Sequence, residues 1–156
     1  VVDEPTAANA VLGVRNGAVV DIGGGTTGVA VIRDGQVVVT SDEPSGGTHM
    51  SLVISGAFKI PFAEAEACKV DTAQHGVLLP VVRPTMQKIA TIVRDAIAGQ
   101  DVQRIHMVGG SSAFAGFAEV MTEVTGVASE VAPEPMLVTP LGVAEWARPI
   151  TEEGSV

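Results

Sequence analysis

The sequence predicts an α/β domain: a mixed five-stranded sheet with helices on both faces and a small helical insertion. Three observations carry this expectation. Of 156 residues, 46% are hydrophobic but only 3% aromatic, with no tyrosine. A core of Val, Ala, Ile and Leu suits helices layered on a sheet better than an aromatic-rich sandwich. Between residues 18 and 40, short apolar runs separated by glycine-bearing turns read as an antiparallel meander. Two later runs, each preceded by a helix-like stretch, add strands by crossover, and crossovers make parallel pairs.

Val1 and Val2 read as the end of a strand. Pro5 fits the first turn of a helix, where its missing N–H costs nothing. Alanines then favour helix, and Gly13 stops it; so many alanines also suggest a helix lying close against another element. Asn16-Gly17 turns the chain into the first strand, 18–22. The second spans 29–33. Asp34-Gly35, a strong short hairpin signal, leads into the third, 36–40. Residues 41–47 read as a loop. A helix capped by Gly47 or Thr48 runs to about Phe58, Lys59-Ile60-Pro61 breaks it, and a short helix follows at 62–70. Residues 71–77 read as a loop, which completes a helical insertion at 48–77. A long helix at 78–98 carries the stripe Val81, Met86, Ile89, Ile92, Val93 and Ile97, with Pro84 setting the start of its regular part. Strands at 104–108 and 127–131 flank a helix at 114–125. Thr139-Pro140 starts a final helix, 141–147, whose Trp146 is expected to pack on the sheet or on a further domain. Residues 1–150 form the domain, and the polar tail 151–156 is expected to fray.

Net charge is −9, which argues against a nucleic-acid partner and against docking on an anionic membrane. Cys68 is the only cysteine, so no intrachain disulfide forms and a reducing compartment is expected. No apolar run approaches the ~18 residues of a membrane span, and no signal peptide is read. The chain begins at Val1 with residues that already read as structure, as a fragment of a longer protein would.

The chemistry concentrates at Asp21-Ile22-Gly23-Gly24-Gly25-Thr26-Thr27. Three glycines permit positive φ and expose backbone N–H groups, which form an anion-binding concavity. Asp21 repels phosphate there unless a cation lies between. Two readings fit: a hairpin cradle for a metal-bound phosphate, or a plain glycine-rich turn with Asp21 as its cap. Gly109-Gly110 follows the carboxyl end of the fourth strand, where open α/β sheets bind ligands. A meander extended by two parallel strands describes a ribonuclease H-like sheet, and in it both glycine turns face one cleft. His49, His75 and His106 show no metal-ligand spacing, and His106 reads as a core or face residue.

These stretches resemble the actin and seventy-kilodalton heat-shock chaperone superfamily. Asp21 to Thr27 is similar to its second phosphate motif, Ile105-His106-Met107-Val108-Gly109-Gly110-Ser111-Ser112 to its adenosine motif. Asp3-Glu4-Pro5-Thr6-Ala7-Ala8 and Thr139-Pro140-Leu141-Gly142-Val143-Ala144 are similar to its two hinge helices. Within it the chain resembles the ethanolamine-utilisation members, through these stretches, Asp42-Glu43 with Gly46-Gly47, and Glu64-Ala65-Glu66 with Lys69. The resemblance implies an actin-like ATPase fold and ATP or ADP with Mg²⁺ as cofactors. It implies that Gly23, Gly24, Gly25, Thr26 and Thr27 meet the phosphates, and that Asp21 and Glu4 act on water, Asp21 reaching the metal through that water. Gly109, Gly110 and Ser111 would lie against adenosine, with Ser111 or Ser112 alternatively capping the next helix. Glu66 and Lys69 share a helix face and meet the nucleoside, or simply form a solvated ion pair.

The resemblance covers the superfamily's second lobe; the first, with its own phosphate hairpin, is not in this chain, so the chain alone is not expected to hydrolyse ATP. It implies a chaperone-like or reactivating protein of the bacterial cytoplasm, associated with a microcompartment. Its partners would be the first lobe and ethanolamine ammonia-lyase or other ethanolamine-utilisation proteins. The alternatives are a bacterial actin-like assembly or cytoskeletal protein, and a pseudo-ATPase scaffold.

Overall fold

A computed structural model describes residues 2–147. Val1, residues 148–150 and the tail expected to fray at 151–156 lie outside the described residues. The chain runs α1 (Glu4–Leu12), β1 (Gly17–Ile22), β2 (Thr27–Arg33), β3 (Gln36–Glu43), α2 (Gly47–Phe58), α3 (Phe62–Val70), α4 (His75–Ala96), β4 (Arg104–Val108), α5 (Phe117–Thr125), β5 (Ala128–Val131) and α6 (Pro135–Trp146). The sheet is five-stranded in the order β3-β2-β1-β4-β5. β1–β2 and β2–β3 are antiparallel, while β1–β4 and β4–β5 are parallel. The expected mixed five-stranded sheet, an antiparallel meander extended by two parallel strands, is present.

Local chemistry explains most element ends. Asp3 caps α1 by accepting from the Thr6 amide at 3.0 Å, and Gly13 closes it in the left-handed region. Asp34 and Gly35 both take positive φ, as a two-residue hairpin turn requires. Helices cover both faces. Val20, Ile22, Val29 and Val31 pack with α2, α4 and α5, whereas Val19, Ile32 and Val108 pack with Ala8 of α1 and Val138 of α6. Every residue of β1 is therefore buried.

Several boundaries differ from expectation. Val2 is irregular, not strand. β3 extends to Glu43 because Gly28 and Thr27 of β2 pair with Asp42 and Glu43; edge pairing outweighs the weak strand propensity of Ser41-Asp42-Glu43. α4 begins at His75 and contains Pro80 and Pro84, both exposed. Neither proline ends the helix, since the bonds they forgo lie on its wet side. The buried stripe of α4 is His75, Leu78, Val82, Met86, Ile89, Ala90 and Val93, with Val81 and Ile92 only half-buried. A 3-10 turn at Gly110–Ala113 precedes α5, and Gly116 at positive φ delays that helix to Phe117. α6 starts at Pro135, a favourable first helical position, and carries Pro140 inside it. Trp146 is exposed and does not pack on the sheet.

α1 and α6 cross backbone to backbone, the close approach that the alanines suggested. A Cβ at Gly142 would overlap the carbonyl of Ala7. In a helix Ala gains ~1 kcal/mol over Gly, but overpacking at a backbone crossing costs more. Gly142→Ala should therefore destabilise the protein by roughly 2 kcal/mol, read as a lower urea midpoint at unchanged slope.

Candidate functional site

The glycine turn joins β1 to β2. Its Gly23 amide donates to the Thr26 carbonyl at 3.1 Å. The carbonyls of Gly23 and Gly24 accept from the Gly47 and Thr48 amides of α2, each at 2.8 Å. No peptide among the described residues is cis, so each N–H points opposite to the carbonyl of its own peptide. The amides of Gly24 and Gly25 therefore point away from α2, and both residues are exposed. The positive end of α2 bonds the carbonyl oxygens of these same peptides, which polarises their outward N–H groups.

None of the three glycines uses the positive φ that glycine permits. A Cβ at Gly23 or Gly24 would find its nearest neighbour at 3.6 Å, and one at Gly25 would find nothing within 4 Å. Neither packing nor backbone conformation requires glycine here. What glycine supplies is unobstructed approach from outside the chain. Gly46 is the reverse case: its Cβ would lie 2.6 Å from the Gly23 carbonyl oxygen, so only glycine lets α2 seat under the turn. Thr26 is half-buried at the turn. Thr27 is buried, and its hydroxyl donates to the Ser45 carbonyl at 2.6 Å.

Carboxylates gather beside the turn. Asp21 is 4% exposed, and Thr139 Oγ1 donates to its Oδ2 at 2.5 Å. Burial pushes the Asp21 carboxyl above its ordinary range; the Thr139 hydrogen bond pulls it down and the Asp42 charge raises it further. Glu4, in the first turn of α1, is also raised, by burial and then by Asp21 and Asp42. Glu4 and Asp42 line an open cleft of about 270 Å³ with Thr26. Among the described residues no group of three His, Cys, Asp or Glu could hold a metal directly.

The second glycine turn closes the other side. Gly109 has φ +88°, and a Cβ on it would lie 2.5 Å from the Ile22 carbonyl oxygen and 2.6 Å from Asp21 Oδ1. The two turns thus meet, as the topology required. Ser111 Oγ donates to the Gly23 carbonyl at 3.3 Å, while Ser112 Oγ donates to the Gly109 carbonyl at 2.6 Å and holds its own turn. Glu66 accepts from Ser51 Oγ at 2.5 Å and from Lys69 Nζ at 3.3 Å. The Ser51 bond, helped by Lys69, keeps the Glu66 carboxyl below its ordinary range. Lys69 Nζ also donates to the Gly47 carbonyl at 3.0 Å. Lys69, Gly110 and Ser111 share a cavity of about 180 Å³ with His75, Phe114 and Met136.

Sequence reasoning missed His75. Its Nδ1 accepts from the Ala115 amide at 3.1 Å, so its proton sits on Nε2, 2.7 Å from the Lys69 carbonyl. The ring stacks on Phe114 with centroids 3.9 Å apart. It ties the end of α3 to the loop before α5, the two walls of the cavity. The only sequence signal was its place three residues ahead of Leu78 on the stripe of α4. His106 lies apart, paired with Glu130 at 3.2 Å between β4 and β5.

Residues 18–143 match the family model described as cell division protein FtsA. The chain is similar to the ethanolamine utilization protein EutJ of Salmonella typhimurium, with 46% identity over 111 residues, 71% of this chain and 39% of that protein. The crystal structure of EutJ from Carboxydothermus hydrogenoformans superposes with a TM-score of 0.86 at 49% identity, covering 91% of this chain and 53% of that one. MreB5 of Spiroplasma citri, solved bound to ADP, superposes with a TM-score of 0.79 at 16% identity, covering 94% of this chain and 59% of that one. The last likeness is one of fold. The matches cover from 39% to 53% of the length of the curated relatives.

Proposed function

The chain belongs to the family whose model is described as cell division protein FtsA, and it is a homologue of EutJ; on that premise we propose that it is the nucleotide-binding lobe of an actin-like ATPase of ethanolamine utilisation. That lobe closes on Mg-ATP together with a first lobe outside this chain. The observation that carries the reading is the glycine turn. Gly24 and Gly25 direct polarised amides outward, and nothing among the described residues demands glycine at either.

Gly24, Gly25 and Thr26 meet the phosphates, while Gly23 closes the turn and Thr27 anchors it. Asp21 and Glu4, each raised in basicity, accept hydrogen bonds from the attacking water and orient it. Asp21 would hold a hydrated Mg²⁺ through its waters, and the ion would supply charge neutralisation at the phosphates. Gly109 and Gly110 admit the nucleoside, with Ser111, Glu66 and Lys69 along its edge. Lobe closure is read by a partner. The chaperone-like or reactivating role identifies that partner as ethanolamine ammonia-lyase or another ethanolamine-utilisation protein, in the bacterial cytoplasm and its microcompartment. Among the described residues no helix is long and apolar enough to cross a membrane.

Gly25→Val tests the site separately from the fold. Its side chain enters open space, so the melting temperature should stay within about 2 °C of wild type. Mg-ATP affinity of the full-length protein should fall by roughly tenfold or more. Equal affinity in the variant would refute the cradle. The FtsA match favours a second reading, an assembly protein. Light scattering of the full-length protein with Mg-ATP separates the two, since filament growth would exclude the chaperone-like role.

A further inference from the structure

We infer that Thr139 on α6 positions the Asp21 carboxylate, and that the crossing of α1 with α6 sets this contact. The functional half of this inference rests on the ATPase reading above.

The backbone of Asp21 is fixed by sheet pairing on both sides, to Gly28 and to Val108. Its side chain is held differently. Among the described residues its one hydrogen bond comes from Thr139, 118 positions along the chain. Oδ2 is thereby engaged. Oδ1 lies over Gly109, 2.6 Å from where a Cβ there would sit. A hydroxyl donor suits this task. It fixes a carboxylate without neutralising it, whereas Lys or Arg would do both. The oxygen left free keeps its full capacity to accept from water.

The position of Thr139 is itself determined by two contacts of α6. The Gly109 amide donates to the Pro135 carbonyl at 2.8 Å. Gly142, on the face of the helix that carries Thr139, has no room for a Cβ against Ala7 and Ala8 of α1. The partner helix α1 carries Glu4. One crossing therefore delivers a hydroxyl and a carboxylate to the same acid, and a shift of the helix pair against the sheet would disturb both together.

The test pairs Thr139→Val, which keeps shape and removes the donor, with Thr139→Ser, which restores it. The first readout is the side-chain carboxyl ¹³C resonance of Asp21 in the full-length protein without nucleotide. It should move in Thr139→Val and return toward wild type in Thr139→Ser. The second is steady-state turnover, which should fall on the order of 10- to 100-fold in Thr139→Val with Mg-ATP affinity kept within about threefold. An unmoved resonance, or turnover within about twofold of wild type, overturns the assignment. A wild-type protein that neither binds nor hydrolyses ATP defeats the ATPase reading instead, and the resonance still decides whether Thr139 positions Asp21.

Discussion

Asp21→Asn in the full-length protein should lower ATP turnover by roughly 10²- to 10⁴-fold while leaving Mg-ATP affinity almost intact. Asn keeps an oxygen for the Thr139 hydroxyl but is a far poorer acceptor for the attacking water. The same substitution should stabilise the fold. Burial holds the Asp21 carboxyl above its ordinary value. Between the unfolded and folded values the native state binds more protons than the unfolded state, so stability falls as pH rises through that window. Above the window ionised Asp21 costs stability that Asn does not. The melting temperature of Asp21→Asn should therefore exceed wild type at about pH 7.5, and the gain should shrink as pH approaches the ordinary value of 3.8. Thermal unfolding at the two pH values checks the sign. A variant less stable than wild type at neutral pH contradicts this account of Asp21. Activity gained at the expense of stability is a common arrangement in active sites.

Gly109→Ala should carry the largest cost to the fold, roughly 3 kcal/mol or more. Two effects add. The residue sits at φ +88° and ψ 153°, a region almost reserved to glycine, where a side chain costs on the order of 1–3 kcal/mol. Its Cβ would also press on the Ile22 carbonyl and on Asp21, both held in a central strand that cannot easily yield. Any relaxation displaces the glycine turn and the carboxylate together, so the residual folded protein should also bind Mg-ATP poorly. Gly110→Ala is the control. Gly110 lacks positive φ, and its nearest neighbour would be the flexible side chain of Met136 at 3.4 Å; its cost should stay below about 1 kcal/mol. Urea midpoints of the two variants measure the contrast.

The sheet was legible because its signals are local. Asp34-Gly35 specifies a hairpin within two residues, and 104–108 is an apolar run bounded by turn chemistry. The helix starts were less so. Pro84 and Thr139-Pro140 read as boundaries, yet the protein tolerates Pro80, Pro84 and Pro140 inside helices at exposed positions. No property of those short stretches announces that exposure. In the candidate site, the glycine turns and their meeting followed from strand order. Gly46, Thr139 and His75 did not, because each acts through a contact far away in sequence: Gly46 under the Gly23 carbonyl, Thr139 on Asp21, His75 on Ala115. Gly23 to Gly25 carry a different lesson. The freedom of φ that glycine allows goes unused there, and the bareness of the backbone is what the position requires of it.

That bareness makes nucleotide binding the claim on which the rest depends. Calorimetric titration of the full-length protein with Mg-ATP and with ADP tests it most directly. Saturable heat with a nucleotide, at an affinity weakened roughly tenfold or more in Gly25→Val while its melting temperature stays within about 2 °C, is the expected result. No heat with either nucleotide, from an intact and folded two-lobed protein, would contradict it.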